Sequence, residues 1–219
     1  MLHCVGRNFM DVQFRIFERK RMEKKLFIFD IGGVVVMHNP PIREFCERYK
    51  LDLDLVHRDW MCYLKPMLDG FLDTNYFYKM LEMNYNIDLS NDPVLITCYH
   101  PYDNEFMKDM IRRLRESGHR VVSGSNTFAP HWDFLKNLKP SPLDGFDKLY
   151  ASHEMHLSKP NTAFYQYIAD AEGYKNEDCF FIDDSEVNVE SARSIGINAF
   201  HYTQDNEAVL NYYKPYLSE

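Results

Sequence analysis

The stretch Leu26-Phe27-Ile28-Phe29-Asp30-Ile31-Gly32-Gly33 sets a short, unbroken apolar run directly against an acid and two glycines. Four consecutive apolar residues closed by a turn signal fit a strand buried on both faces, as in the middle of a parallel sheet. Similar runs return at Arg120-Val121-Val122, Lys148-Leu149-Tyr150, Cys179-Phe180-Phe181-Ile182 and Ile197-Asn198-Ala199-Phe200. Helical stripes lie between them. Phe106, Met107, Met110, Ile111 and Leu114 are closed by Gly118, Ala163 to Ala171 by Gly173, and Val187 to Ser194 by Gly196. Strands alternating with helices predict an α/β fold, a doubly wound, Rossmann-like parallel sheet covered on both faces.

The distance between the first two strand ends is out of proportion. A parallel crossover needs roughly a dozen residues, and the chain from Asp30 to Ser125 holds far more. Pro40 and Pro41 open the stripe Ile42, Phe45, Cys46 and Tyr49, and helical material rich in Met, Tyr and Leu continues to about Ile96. The expectation is a small helical cap over residues 39–100, inserted after the first strand, with the α/β core formed by 22–38 and 101–219. A cap in that position would lie over the carboxyl end of the sheet, where open α/β folds bind ligands. Trp60, Met61, Tyr63, Met67, Tyr76, Phe77 and Met80 read as the cap's own core, with some facing the site to set specificity.

The 219 residues, 45% of them hydrophobic and 26% charged, suit a folded globular chain rather than a disordered one. Lys and Arg number 25 against 33 Asp and Glu, a net charge of −8, so neither nucleic acid nor an anionic membrane is an expected partner. The five cysteines, Cys4, Cys46, Cys62, Cys98 and Cys179, are odd in number, scattered, and never spaced Cys-x-x-Cys. That argues against a disulfide framework or structural zinc and for a reducing, cytoplasmic setting. No stretch approaches the roughly 18 apolar residues of a membrane span. Residues 1–21, with Arg7, Arg15, Arg19, Lys20 and Arg21 against Asp11 and Glu18, read as an extension or a mis-assigned start ahead of Met22. They lack the apolar segment of a secretory signal, and an organellar transit peptide is the lesser reading. Monomer and homodimer both remain open.

Polar residues gather where strands end: Asp30-Ile31-Gly32-Gly33, then Ser123-Gly124-Ser125-Asn126-Thr127, then Ser158-Lys159-Pro160, then Asp183-Asp184-Ser185 with Asn188 one helical turn on. Each alone has an ordinary reading, since a strand-final Asp or an Asp pair often caps the next helix and Ser-Asn often makes a turn. Together, in this order, they resemble the four motifs of the haloacid dehalogenase (HAD) superfamily. The resemblance runs over nearly the whole chain from Met22. It is closest to the small-capped first subfamily, and within it to the bacterial alpha-D-glucose-1-phosphate phosphatase-like group, whose first motif also reads Phe-Asp-x-Gly.

The resemblance implies a Mg²⁺-dependent phosphomonoester hydrolase acting on a small phosphorylated metabolite, with a sugar phosphate favoured. Asp30 would be the nucleophile, forming an aspartyl-phosphate. Mg²⁺ would be held by Asp30, the Gly32 carbonyl and Asp184, with Asp183 and Asn188 supporting them from behind. Lys159 would offset the charge of the transferring group, and Ser125 and the backbone N–H of Asn126 would hold its other oxygens.

One position departs from the pattern. Family phosphatases place a second Asp two residues after the nucleophile, where it protonates the leaving group; here that residue is Gly32. Histidines near the motifs, His38, His131 and His156, are the candidate replacements, and His38 is also a candidate contact for the substrate. Two alternatives follow: a catalytically weakened phosphate-binding or regulatory protein, and a 2-haloacid dehalogenase-like hydrolase. The acid pair Asp183-Asp184 counts against the second, since halide displacement does not require a metal site.

Overall fold

The computed structural model describes residues 23–218, so the reading of residues 1–21 and of Met22 as a start lies outside the described residues. In chain order, β1 (Leu26–Phe29) and β2 (Val36–Met37) precede four helices, α1 (Pro41–Tyr49), α2 (Leu53–Leu68), α3 (Thr74–Tyr85) and α4 (Val94–Thr97). Then come β3 (Tyr102–Asp103), α5 (Glu105–Glu116), β4 (Arg120–Ser123), α6 (Ala129–Asn137), α7 (Ser152–Met155) and α8 (Thr162–Glu172). The chain closes with β5 (Cys179–Asp183), α9 (Glu186–Ser194), β6 (Asn198–His201) and α10 (Asn206–Tyr213).

The main sheet is parallel, in the order β4-β1-β5-β6. Every residue of β1 pairs on both sides, with Leu26 opposite both Arg120 and Cys179 and Phe29 opposite both Ser123 and Ile182. The pleat sends Phe27 and Phe29 into one apolar cluster with Met110, Leu114, Trp132 and Tyr213. Leu26 and Ile28 enter another with Phe164, Tyr165, Ile168 and Phe181. Both faces are therefore covered by helices, which is why the strand carries no polar residue and all four side chains are fully buried. Because the strands are parallel, the residues that follow β1, β4 and β5 emerge along one edge.

One expected strand is absent. Lys148-Leu149-Tyr150 contributes only isolated bridges, Val122 to Lys148 and Ser125 to Ala151. Side chains take the places of ladder carbonyls here: Tyr150 N–H donates to Ser123 Oγ (2.8 Å) and Val121 N–H to Asp147 Oδ2 (2.9 Å). The segment lies beside β4 without forming a continuous ladder.

Between β1 and β4 the four helices α1–α4 enclose an apolar cluster of their own, built on Phe45, Val56, Met67, Phe77, Leu81 and Leu95 and joined by Phe128. The two chain crossings into this unit are clamped by an antiparallel pair, Val36 with Asp103 and Met37 with Tyr102. Asp52 and Asp73 start α2 and α3 by accepting from Leu55 N–H and Asn75 N–H. Met61 and Tyr76 do not join the cluster; both are about half exposed. Cys46, Cys62, Cys98 and Cys179 are free thiols. No helix among the described residues is long and apolar enough to cross a membrane.

Candidate active site

The edge where β1 and β5 end carries a dense charge cluster. Asp30 and Asp183 are buried, Asp184 reaches solvent, and one carboxylate oxygen from each lies within 4.8 Å of the others. Lys159, from the loop between α7 and α8, inserts its ammonium between two of them, 2.8 Å from Asp30 Oδ1 and 2.7 Å from Asp183 Oδ2. Its side chain is fully shielded. Burial opposes the lysine charge, but the attraction of Asp183 and Asp30 outweighs it and raises the pKa of the ammonium. Burial pushes the Asp30 carboxyl well above the usual carboxylate range; Lys159 pulls it down, and Asp183 and Asp184 push it up again. The site holds more negative charge than its lysine can balance.

Asp183 uses both oxygens within the protein. Oδ1 accepts from Ser185 N–H (2.8 Å) and Asn188 Nδ2 (2.9 Å), and Oδ2 accepts from Lys159. Asn188 therefore positions Asp183 rather than reaching the ligand side itself. Asp184 instead turns its carboxylate against Gly33. A Cβ built on Gly33 would stand 2.2 Å from Asp184 Oδ2, and Gly33 sits at φ +75°. Both facts require glycine there. Gly33→Ala is expected to displace the Asp184 carboxylate and to destabilise the fold by about 1 kcal/mol or more. Denaturant unfolding of the variant checks this, and unchanged stability would contradict the close approach.

Ser125 is buried in the loop after β4, its N–H donating to the Tyr150 carbonyl. Asn126 has a role the sequence did not reveal. Its side chain clasps the lysine loop from both directions, Nδ2 donating to the Lys159 carbonyl (3.0 Å) and Oδ1 accepting from Lys159 N–H (2.9 Å). An Asn beside a strand end is too common a turn residue to signal a bond across 33 positions.

The three histidines separate. His131 stacks on Tyr99 (3.9 Å between ring centres) and donates Nε2–H to the Leu95 carbonyl (2.6 Å). Burial pushes its pKa down to about 4, so it is a neutral packing residue. His156 donates from Nδ1 to the Asp69 carbonyl (2.9 Å) and stacks on Phe71, tying the α2–α3 turn to the loop that carries Lys159. At that turn a Cβ on Gly70, at φ +69°, would stand 2.2 Å from the His153 carbonyl oxygen. The helix-breaking pair Asp69-Gly70 was the available signal for this seam. His38 alone is beside the first motif, its Nε2 3.4 Å from where a Cβ on Gly32 would be.

The parallel α/β sheet thus carries buried acids and a lysine at its carboxyl edge, next to an inserted helical unit. Residues 91–196 match the family model of haloacid dehalogenase-like hydrolases. Drimenol cyclase drtB of Aspergillus calidoustus is 27% identical over 189 residues, which is 84% of this chain but only 35% of that protein. Sesquiterpene phosphatase astK of Aspergillus oryzae is 25% identical over 185 residues, 82% of this chain and 90% of that one. This chain thus spans about a third of the first relative and most of the second. A HAD family enzyme from Bacteroides thetaiotaomicron, solved with magnesium and inorganic phosphate, superposes with a TM-score of 0.72 at 23% identity, covering 84% of this chain and 96% of that one.

Proposed function

We propose that this chain is a Mg²⁺-dependent phosphatase that transfers a phosphoryl group to Asp30. The observation that carries the reading is the single buried lysine set between Asp30 and Asp183, in a cluster of three carboxylates. All three acids offer hard oxygen donors, with neither sulfur nor imidazole in the set, and their surplus charge suits a hard divalent cation. Asp30 and Asp184 would hold it directly, with the Gly32 carbonyl as a third donor. A cation held there would supply the positive charge that offsets the repulsion between these carboxylates and a phosphoryl group.

The protein's own groups supply the rest. Asp30 Oδ1 is fixed by Lys159 and by Ile31 N–H (2.7 Å), which leaves Oδ2 to attack phosphorus. Lys159 stays charged throughout and steadies Asp30 and Asp183. Ser125 and the Asn126 N–H, in the loop after the neighbouring strand, would receive phosphoryl oxygens.

For the substrate, the sequence resemblance favours a sugar phosphate. The named activity of astK favours an apolar ester instead, and we place the phosphate of an apolar alcohol first.

The test is a hydrolysis panel containing farnesyl phosphate and glucose 1-phosphate, with Mg²⁺ and with EDTA. Activity is expected to vanish in EDTA and return with Mg²⁺, and Asp184→Ala should weaken Mg²⁺ binding more than Asp183→Ala. Full activity in chelator, or the reverse ranking, would overturn the metal assignment. Phosphate binding without hydrolysis of any ester would favour the weakened, regulatory alternative.

A further inference from the structure

The loop after β1 doubles back on itself. Val35 and Val36 donate their N–H groups to the Ile31 carbonyl (2.9 and 2.8 Å), and Gly33 N–H returns to the Val36 carbonyl (2.9 Å). The fold-back carries His38 over Gly32. Around the point where a Cβ on Gly32 would lie, His38 Nε2 at 3.4 Å is the one contact within 4 Å among the described residues. Gly32 is not in the left-handed region, so its backbone does not exclude a side chain. The space a longer side chain would occupy is instead filled by imidazole from another position.

That ring is held in a fixed direction. Nδ1 lies 3.1 Å from the Asn39 carbonyl, which can only accept, so Nδ1 carries the proton of the neutral ring and Nε2 faces Gly32. Tyr99 meets the ring edge-on at 5.2 Å and is itself fixed by its stack on His131. His38 is partly buried. A nitrogen placed beside the nucleophile's loop, with its tautomer set from behind, has the arrangement of a proton carrier.

We propose that His38 Nε2 performs the proton transfers for which Gly32 has no side chain. The cycle starts from the imidazolium, with a proton on each ring nitrogen. As Asp30 Oδ2 bonds to phosphorus and the bond from phosphorus to the ester oxygen breaks, the Nε2 proton passes to that oxygen and the alcohol leaves neutral. The ring is left neutral with its proton on Nδ1. Water then attacks phosphorus, the bond to Asp30 breaks, and Nε2 takes up the proton that water releases. Phosphate leaves and both residues return to their starting states.

The proposal rests on the phosphatase reading and is tested by rates over a series of phosphate esters with graded leaving groups. His38→Ala should lose about 100-fold or more on alkyl phosphates and far less on activated aryl phosphates, which need no proton. Adding Gly32→Asp to His38→Ala puts a carboxylate into the vacated space and should restore the shallow dependence. An unchanged leaving-group dependence in His38→Ala, or no recovery in the double variant, would overturn the proposal. A nitrogen NMR measurement needs no turnover: the neutral ring should carry its proton on Nδ1, and an Nε2–H tautomer would overturn the proposal as well. Wild-type inertness toward every ester would instead bring down the phosphatase reading itself, and the proposal with it.

Discussion

Asp30→Asn is expected to lower turnover by roughly a thousandfold or more while leaving the metal-free protein at least as stable as the wild type. The two halves of this result have one cause. In the proposed reaction the carboxylate is the attacking group, and an amide keeps its shape without its nucleophilicity. The same carboxylate is costly to keep charged, since burial and the neighbouring acids raise its pKa above the unfolded value. A group raised in this way stabilises the fold most when protonated, at low pH, and that contribution is lost as pH rises through the folded-state value. The neutral amide retains it at every pH. Thermal melts in EDTA near neutral pH, alongside assays of the pure variant, check both halves. Substantial residual activity would remove Asp30 from the nucleophile's role, and a sharply lowered melting temperature would show that the charge is better accommodated than the geometry implies.

Lys159→Met should have the second largest effect, and here stability and activity fall together. The methionine fills similar volume but leaves Asp30 and Asp183 facing each other without the ammonium that lies 2.8 and 2.7 Å from them. Removing one partner of a buried ion pair typically costs about 3–5 kcal/mol. Denaturant unfolding in EDTA should show a loss of that size, and Mg²⁺ should recover part of it by supplying positive charge to the same acids. A variant as stable as the wild type without metal would mean that the acids shed their charge by protonation at no cost to the fold.

How far the sequence reaches can be judged from particular residues. The run from Leu26 to Phe29 was legible because a strand buried on both faces admits only apolar side chains, and that requirement is written residue by residue. Asp30, Asp183 and Asp184 were legible for a related reason: parallel strands deliver whatever follows them to one edge, so polar residues at several strand ends converge wherever the ladders place them. Lys159, which follows no strand, was legible only through the resemblance of its motif. Lys148 to Tyr150 was misread because Ser123 Oγ and Asp147 Oδ2 compete with backbone carbonyls, and apolar patterning says nothing of that competition.

The sequence by itself determined the α/β class, the presence of a helical insertion and the identity of the charged residues at the sheet edge, since these depend on local pattern and strand order. Tertiary structure alone decided what those residues touch. It showed that Asn126 clasps the lysine loop, that Asn188 serves Asp183, that His131 and His156 are committed to packing and to the seam, and that His38 fills the space beside Gly32. Each of these is a contact between segments far apart in the chain or folded back on themselves. Such contacts are fixed by how layers pack and loops turn, and a one-dimensional pattern carries no distance between them.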